Sequence, residues 1–558
     1  MTMTTLPNHE TSVLDAATTV FVNGIVHTVD GDNATAEAFC IVGNRIAAVG
    51  TAEECRAVAA RHSATPEEVD LAGQTVVPGF VDPHAHPLMF GQLLSWVDCS
   101  PAVAPDIPTI VRLLKEAADA APGTTAIRGY GYEHRNLVEG RHPTRDELDQ
   151  VATDREVYVM NASGHGGVVN SFVFEANGIT DDVVNPVGGT FFKDADGRLT
   201  GELSDAACDI LTGEGGVKVG NHGPNFHLRD TPEHHARQLE HAQRFFHENG
   251  VTTIGDAQVT KREFAAYLGL AGSGTLTMRV NAYFLSHLLD EVLELGLVDK
   301  FGDSLLSFAG MKLYADGTLG GWTAYFPEGY ASDPCRTGTL YHSPEEYREL
   351  LHRAHRAGLQ TATHAQSPTA IQMVLDTIES ALDESPRADA RHRIEHCGLP
   401  SPEQIIRMKR LGVLPVNQPQ HYYNWGQGVV DAIGTPGERF NPLGEFVEAG
   451  LQVTMSSDAP VAEPIPVEAM QAAVTRRTKL GVQLGGDEQK ISARAALRAH
   501  TLNGAHVLGR ESEIGSIEPG KLADFVVLDR DPLAVAADAI AETRVVETWV
   551  NGRRVFAR

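Results

Sequence analysis

Short apolar runs alternate with amphipathic stretches over most of the chain, from about residue 76 to residue 507. Two of these stretches, Pro232–Asn249 and Pro344–Ala357, predict helices, and each is followed by a glycine, which commonly ends a helix. Eight apolar runs predict strands: Val76–His86, Val251–Asp256, Met278–Phe284, Met311–Ala315, Gln360–His364, His392–Cys397, Val413–Asn417 and Gln452–Ser456. This alternation predicts an α/β fold, a (β/α)8 TIM-like barrel whose active site lies at the carboxyl ends of its strands.

Both ends of the chain have a different pattern, typical of antiparallel β structure. Near the N-terminus, Thr18–Val22 and Ile25–Val29 flank Asn23-Gly24, which predicts a hairpin, and a second hairpin follows over Ala38–Val49. Near the C-terminus, Ala523–Leu528 and Glu547–Phe556 have the same character. We expect residues 1–75 and 508–558 to form one small β-sandwich domain; two independent hairpins are the alternative.

The interval between the first two barrel strands is too long for a simple crossover. We therefore divide the barrel into residues 76–99, with the first strand, and residues 236–507, and expect an inserted subdomain at 100–235. Its glycine-rich segments, Arg128–His134 and Asn161–Gly167, lack the strand–turn–helix context of a nucleotide-binding motif. A lid over the mouth of the barrel is the expected role of this insertion.

The net charge and the cysteine spacing argue against certain partners and against a disulfide-linked fold. The formal net charge is −28, whereas partners such as nucleic acid and anionic membranes require basic surfaces, so we expect neither partner. The six cysteines lack C-x-x-C spacing and predict reduced thiols in a cytoplasmic protein rather than a disulfide framework. Residues 1–15 resemble no secretory signal, and no apolar run is long enough to span a bilayer.

The first predicted strand ends in a His-x-His motif between two prolines, which exclude a helix at this point. Residues i and i+2 of a strand point to the same side, so His84 and His86 direct two imidazoles at one place. Two neutral imidazoles form half of a zinc-type site. Taken alone, the motif could equally be a surface pair.

Other predicted strands end in residues of the same chemical kind. These are Lys312 after strand four, His364 after strand five, His396 after strand six and Asp458 after strand eight. Each of these residues taken alone is most often structural. Because the carboxyl ends of barrel strands meet at one rim, we expect all six side chains to converge.

The combination of motifs resembles the amidohydrolase superfamily over nearly the whole chain. Its opening signature is similar to Pro78–His86, and Lys312–Gly317, Arg393–His396 and Ser456–Pro460 resemble the amidohydrolase family 3 branch. That branch includes YtcJ-like proteins and N-substituted formamide deformylases. The resemblance implies a binuclear centre of two divalent metal ions, expected to be Zn²⁺, held by the six residues above.

A binuclear site needs an anion that bridges the two cations, and a lysine ammonium cannot supply it. A lysine desolvated beside cations is driven towards the neutral amine, which can add carbon dioxide to give a two-oxygen carbamate. The resemblance implies this N-carboxylation for Lys312. The alternative is an ion pair between Lys312 and Asp316.

Divalent metals lower the pKa of water enough to supply a hydroxide nucleophile, and Asp458 can carry its proton to the leaving nitrogen. We therefore expect a hydrolase that cleaves a non-peptide C–N bond, most simply an N-acyl or N-formyl amide. A deaminase or a cyclic-amide or lactone hydrolase of the same superfamily is the alternative. A non-catalytic regulatory protein on the same barrel is the alternative from another class.

The substrate is expected to be a small molecule with an apolar or aromatic group, because the loops predicted after strands four and seven are rich in aromatic residues. These aromatic side chains could instead pack under the lid. A homodimer is possible. The residues expected to bind substrate or to steady a ligand are His165, Asp316, Trp322, Gln420 and Tyr422.

Overall fold

A computed structural model describes residues 17–121, 123, 125–213, 216–225, 228, 230–298 and 300–558. Residues 1–15, on which the expectation about a secretory signal rests, lie outside these residues. The described chain forms four β-sheets, and one of them is the barrel that the apolar runs predict.

Eight parallel strands form this barrel sheet in the order of the sequence. We number them β1 to β8: Phe80–Ala85, Val251–Val259, Arg279–Leu285, Leu306–Tyr314, Thr361–Ala365, Arg393–His396, Leu414–Asn417 and Thr454–Met455. Each of the eight overlaps a predicted strand, so the prediction of a TIM-like barrel is confirmed.

Hydrogen bonds between the segments after β8 and β1 bring the two edge strands together. The backbone N–H of Asp458 donates to His84 (2.8 Å), and that of His86 donates to Ala459 (2.7 Å). The buried Asp82 carboxylate accepts from both the backbone N–H (3.1 Å) and the hydroxyl (2.5 Å) of Ser457. These bonds fix the end of β8 against the His-x-His motif.

The α-helices follow the pattern of short strands and longer amphipathic segments. Those of the barrel are Pro87–Leu93, Pro232–Glu248, Lys261–Ser273, Leu289–Leu295, Pro344–Arg356, Pro368–Glu384, Pro402–Leu411, Pro419–Ile433, Leu443–Glu448, Pro466–Thr475, Ala493–Ala499 and Leu502–Val507. Several begin with proline after a Ser or Thr cap, a sequence that satisfies the free N–H groups of the first turn. Among the described residues, no helix combines the length and the apolar character that crossing a membrane would require.

Both chain ends contribute to a pair of small sheets beside the barrel. One sheet has the order Arg553–Ala557, Val545–Val550, Phe525–Leu528, Thr75–Pro78, Ile25–His27 and Thr35–Ala36. The other has the order Arg45–Gly50, Ala38–Val42, Thr18–Val22 and Glu67–Asp70, with helix Ala52–Ala59 beside it. A shared apolar cluster that includes Phe21, Phe39 and Phe525 lies between them.

Two local predictions are wrong here. Thr18–Val22 and Ile25–His27 do not pair as a hairpin, because they belong to different sheets, and Asn23-Gly24 is the corner between them. The predicted strand Val76–His86 is two strands, of which Thr75–Pro78 belongs to a terminal sheet and only β1 belongs to the barrel. Gly79 separates them, and a Cβ there would lie 2.3 Å from the Thr252 hydroxyl oxygen.

The insertion after β1 has its own six-stranded sheet, which begins slightly before the predicted boundary at residue 100. Its strands, in sheet order, are Gly189–Lys193, Leu199–Asp205, Gly166–Val169, Val157–Asn161, Ile127–Tyr132 and Val97–Asp98. Its helices are Ile107–Ala120, Arg145–Leu148 and Ser171–Ala176. Two apolar clusters, which include Leu114 and Tyr158, lie on its two faces, so the insertion has a core of its own.

Candidate active site

A cavity of about 40 Å³ lies at the carboxyl ends of the barrel strands. The barrel and the insertion both line it. The lining residues are His84, His86, Glu133, Ser163, His165, Pro224, Tyr314, Thr318, Gly320, His364, Gln366, His396, His421, Trp425, Phe440, Asp458 and Val461. Five of the six predicted metal ligands therefore reach one cavity, and the sixth, Lys312 on β4, does not line it but lies against Tyr314, which does.

Asp458 and the two histidines of the His-x-His motif form the centre of the site. Asp458 Oδ1 lies 3.3 Å from His84 Nε2 and 3.1 Å from His86 Nε2. Burial alone would raise the pKa of Asp458, but His84 and His86 hold it well below its usual value. Asp458 is consequently a carboxylate at neutral pH, able to accept a hydrogen bond or to bind a cation.

A hydrogen bond at one nitrogen of each ring orients two further histidines. His364 Nε2 lies 3.0 Å from the carbonyl oxygen of Gly317, and His396 Nδ1 lies 2.9 Å from Oε1 of Gln418. Burial lowers the pKa of both rings well below the usual value, so both are neutral. A neutral ring that donates from one nitrogen has its lone pair on the other, which is the state that binds a metal.

His84 is held in the same way by a residue that the sequence reasoning missed. Its Nδ1 contacts Glu395, and Glu395 in turn forms a buried ion pair with Arg393, whose Nη2 lies 2.7 Å from Oε2. Burial raises the pKa of Glu395, but Arg393 and His84 outweigh this effect and hold it well below its usual value. A signal was present in the sequence, since a strand of the barrel core has two charged residues at alternate positions.

Lys312 is fully buried on β4 and its ammonium group has no hydrogen-bond partner among the described residues. Its Nζ lies 4.7 Å from the ring centre of Tyr314. Burial lowers the pKa of Lys312 to about 8. The alternative ion pair with Asp316 does not form, because both Asp316 oxygens accept backbone N–H groups instead.

These side chains fit a divalent cation. His84, His396 and Asp458 each offer one ligand atom, and the three atoms lie within 4.8 Å of one another. Imidazole nitrogen with carboxylate oxygen is a donor set that suits zinc and related metals. A buried amine without a partner beside them is costly unless another group compensates it.

The five residues expected to contact substrate or steady a ligand have different positions. His165 lines the cavity. Asp316 is buried and ties the loop after β4 to the end of β5 through the N–H groups of Tyr325, Gln366 and Ser367. Burial raises the pKa of Asp316 to about 6.

The other three do not line the cavity. Trp322 stacks on Tyr330 and lies between Arg135 and Arg336. Its ring therefore packs against other side chains, as the alternative to substrate contact predicted. The predicted loop at Gln420 and Tyr422 is instead the start of helix Pro419–Ile433. Helical geometry points these two side chains away: Gln420 donates to the carbonyl of Glu463, and the guanidinium of Arg476 lies over the Tyr422 ring.

The same helix contributes two cavity residues, His421 and Trp425, which belong to the aromatic loop predicted after strand seven but were not among the expected contacts. His421 Nε2 lies 3.5 Å from Asp458 Oδ2, and the Trp425 ring packs against His421 at 4.9 Å. From the insertion, Glu133 and Ser163 also line the cavity. The insertion thus forms one wall of the site.

Comparison with known proteins agrees with this geometry. The model of the amidohydrolase family matches residues 67–556. The chain is 32% identical to the N-substituted formamide deformylase of Arthrobacter pascens, covering 96% of this chain and 97% of that protein. It is 27% identical to the Bacillus subtilis (strain 168) protein YtcJ, covering 97% and 99%.

Among solved structures, an uncharacterized metal-dependent hydrolase from Pyrococcus horikoshii OT3 is similar with a TM-score of 0.75 and 26% identity. The similarity covers 93% of this chain and 99% of that one. It therefore includes the barrel, the terminal sheets and the insertion.

Proposed function

The chain belongs to the amidohydrolase family, and from that premise we propose that it hydrolyses a non-peptide C–N bond with metal ions held at the mouth of the barrel. The finer proposal is cleavage of an N-acyl amide, most simply an N-formyl amide. Its similarity to a formamide deformylase over nearly the full length of both proteins supports this substrate class.

The surroundings of Lys312 are the main support for a site with two metal ions. Lys312 is a fully buried amine to which no described residue hydrogen-bonds, and it lies against Tyr314 of a cavity that three oriented histidines and Asp458 also line. A lysine with a pKa of about 8 has an accessible neutral form, which is the form that adds carbon dioxide. We propose that His84, His86, His364, His396, Asp458 and Lys312 in its N-carboxylated form would hold two cations, expected to be Zn²⁺, and that the Lys312 carbamate would supply negative charge to both.

When bound, such cations polarise a carbonyl group and lower the pKa of water. The chain's own contribution begins with Asp458, whose carboxylate is ionised and lies within 3.3 Å of His84 and His86 at the centre of the site. We propose that it accepts the proton of the attacking water and delivers it to the leaving nitrogen. Glu395 holds His84 in the tautomer and orientation that this arrangement needs.

The size and lining of the cavity support a small acyl group. A cavity of about 40 Å³ has space for a few water-sized groups, since one water needs roughly 10–15 Å³. Trp425, Phe440 and Val461 give its wall an apolar part, which suits an apolar or aromatic substituent. The proposed partner is therefore a small molecule.

The proposed location is the cytoplasm and the proposed assembly is a homodimer. All six cysteines are free thiols and five of them are buried, which fits the proposed cytoplasmic location. The homodimer is likewise retained as a prediction.

The experiment that tests the proposed function combines metal analysis with a substrate panel. Purified protein should contain close to two divalent metals per chain and should hydrolyse aromatic formamides faster than acylamides, cyclic amides or lactones. Aromatic compounds with an amino group on the ring are included in the panel to test for deaminase activity. Deamination without amide hydrolysis, or full activity with one metal per chain, would contradict the proposal.

A further inference from the structure

The insertion places one histidine on the cavity wall, outside the set of metal ligands. His165 precedes strand Gly166–Val169, and its ring centre lies 5.7 Å from that of His364 on the barrel. Its side chain is only 13% exposed, and it lines the cavity. The proposed proton transfer by Asp458 makes no use of this ring.

A network within the protein fixes the orientation of His165. Asp205 Oδ1 lies 2.9 Å from His165 Nδ1 and accepts a hydrogen bond from the Tyr341 hydroxyl at 2.6 Å. The backbone N–H of Asp205 also donates to the carbonyl of His165 at 2.7 Å. His165 is therefore held at both its ring and its backbone by the same residue.

The chemistry of this network determines which ring nitrogen bears the hydrogen. A carboxylate can only accept hydrogen bonds, so Nδ1 of His165 must be the donor to Asp205. In the neutral imidazole the other nitrogen, Nε2, then has the free lone pair. No described side chain donates to Nε2, so this lone pair is available to a molecule in the cavity.

The backbone at Asp205 is unusual in a way that agrees with a functional role. Asp205 ends strand Leu199–Asp205 with φ 50° and ψ −121°, a conformation that side-chain-bearing residues rarely adopt. Such strained conformations cluster at functional sites, where the surrounding structure maintains them. Here the strain places the carboxylate between His165 and Tyr341.

We propose that His165 Nε2 accepts a hydrogen bond from the N–H of the scissile amide, with Asp205 and Tyr341 as positioning residues. The consequence is specificity: the enzyme selects N-monosubstituted amides over N,N-disubstituted amides and over esters, which lack this hydrogen. The inference rests on the proposed function, because it assumes that the cavity binds an amide.

Three probes of nearly equal size test the inference: N-benzylformamide, N-benzyl-N-methylformamide and benzyl formate. Wild type should prefer the first over the second by roughly 10- to 100-fold in kcat/KM, the usual cost of losing one buried hydrogen bond. His165→Phe should lose a similar factor on N-benzylformamide, mainly through KM, while benzyl formate changes by less than about 3-fold. Asp205→Asn should shift the same ratio in the same direction, because an amide group can donate to Nδ1 and reverse the tautomer.

Controls separate a specific effect from a general one. His234→Gln alters a half-exposed histidine on helix Pro232–Glu248 and should leave all three rates unchanged. Should His165→Phe fail to fold, His165→Asn is the second variant. Equal turnover of the secondary and the N-methyl amide by wild type would overturn the inference without any variant, as would an equal loss on formamide and formate.

Calorimetric binding to the Asp458→Asn variant distinguishes failure of the inference from failure of the proposed function. Tighter binding of N-benzylformamide than of its N-methyl analogue, lost on adding His165→Phe, supports the inference even if wild type hydrolyses neither. Hydrolysis without this difference in binding contradicts the inference alone. If no probe binds or reacts, both are wrong.

Discussion

Glu395 and Asp458 contact the two different nitrogens of the His84 ring: Glu395 contacts Nδ1, and Asp458 lies 3.3 Å from Nε2. Arg393 keeps the carboxylate ionised, with its Nη2 2.7 Å from Oε2. The tautomer of His84 is thus set by a residue on another strand, β6, and the charge of that residue is set by a neighbour two positions earlier.

The first prediction concerns this pair. Glu395→Gln should weaken metal binding by roughly 10- to 100-fold, the usual effect of removing the partner of a metal-binding histidine. Metal content after dialysis should fall, and excess metal should restore much of the activity. Glu384→Gln is a matched control, because Glu384 contacts Nδ1 of His352 at 3.1 Å in a pair remote from the cavity. Normal metal retention in Glu395→Gln would contradict the role given to Glu395.

Lys312→Ala should remove the bridging anion and abolish most of the activity. Because the variant leaves an apolar space where the carbamate is proposed, added formate or acetate should restore part of the rate. Lys193→Ala, which alters a surface lysine of the insertion, serves as the control. Activity close to wild type without any added acid would show that Lys312 forms no bridge.

Asp458→Asn retains the size and one oxygen of the side chain but loses the basic carboxylate. We expect a folded protein with near-normal metal content and kcat reduced at least roughly 10²-fold, the lower scale for loss of a general base. KM should change much less than kcat, because the lost interaction matters mainly in the transition state. Turnover within a few-fold of wild type would assign the proton transfer to another residue, and His165 would be tested next.

Stability in acid should depend on His247, which is buried between Val251 and Thr277. Burial lowers its pKa from 6.5 to about 4, so between these values the unfolded chain binds a proton that the folded protein does not. The free energy of unfolding therefore decreases as the pH is lowered through this window, and at pH 5 it is about 2 kcal/mol below its value at neutral pH.

Urea unfolding at pH 8 and pH 5 measures this effect. His247→Gln should be less stable than wild type at pH 8, where only its lost hydrogen bond and packing count, yet should lose about 2 kcal/mol less than wild type on going to pH 5. Parallel pH profiles of the two proteins would mean that His247 does not titrate across folding.

The barrel, and the meeting of five expected ligands at one cavity, could be predicted because barrel topology converts sequence position into spatial position. A residue at the carboxyl end of any parallel strand reaches the same rim, so His364 and Asp458 required no knowledge of their neighbours. Strand-end position alone does not identify Glu395, because its role depends on a contact with His84, which is distant in sequence; the charged pair within its strand was the available signal.

The errors arise where short patterns permit two outcomes. Asn23-Gly24 suits a hairpin as well as a corner, and pairing of Thr18–Val22 with the distant strand Glu67–Asp70 decides between them. The helix at Gln420 had a signal, since Pro419 stands at a first helical position, where proline is favoured. Reading that proline as a helix start would have directed Tyr422 away from the cavity.

The place of strand Thr75–Pro78 has a consequence for the order in which the protein can be made. In its sheet this strand lies between Ile25–His27, which is synthesised early, and Phe525–Leu528, which is synthesised near the end. Only Gly79 separates it from β1, which carries His84 and is followed directly by His86. Residues up to Leu528 must therefore leave the ribosome before the sheet beside β1 is complete, so the strand that carries His84 gains this neighbour late in synthesis.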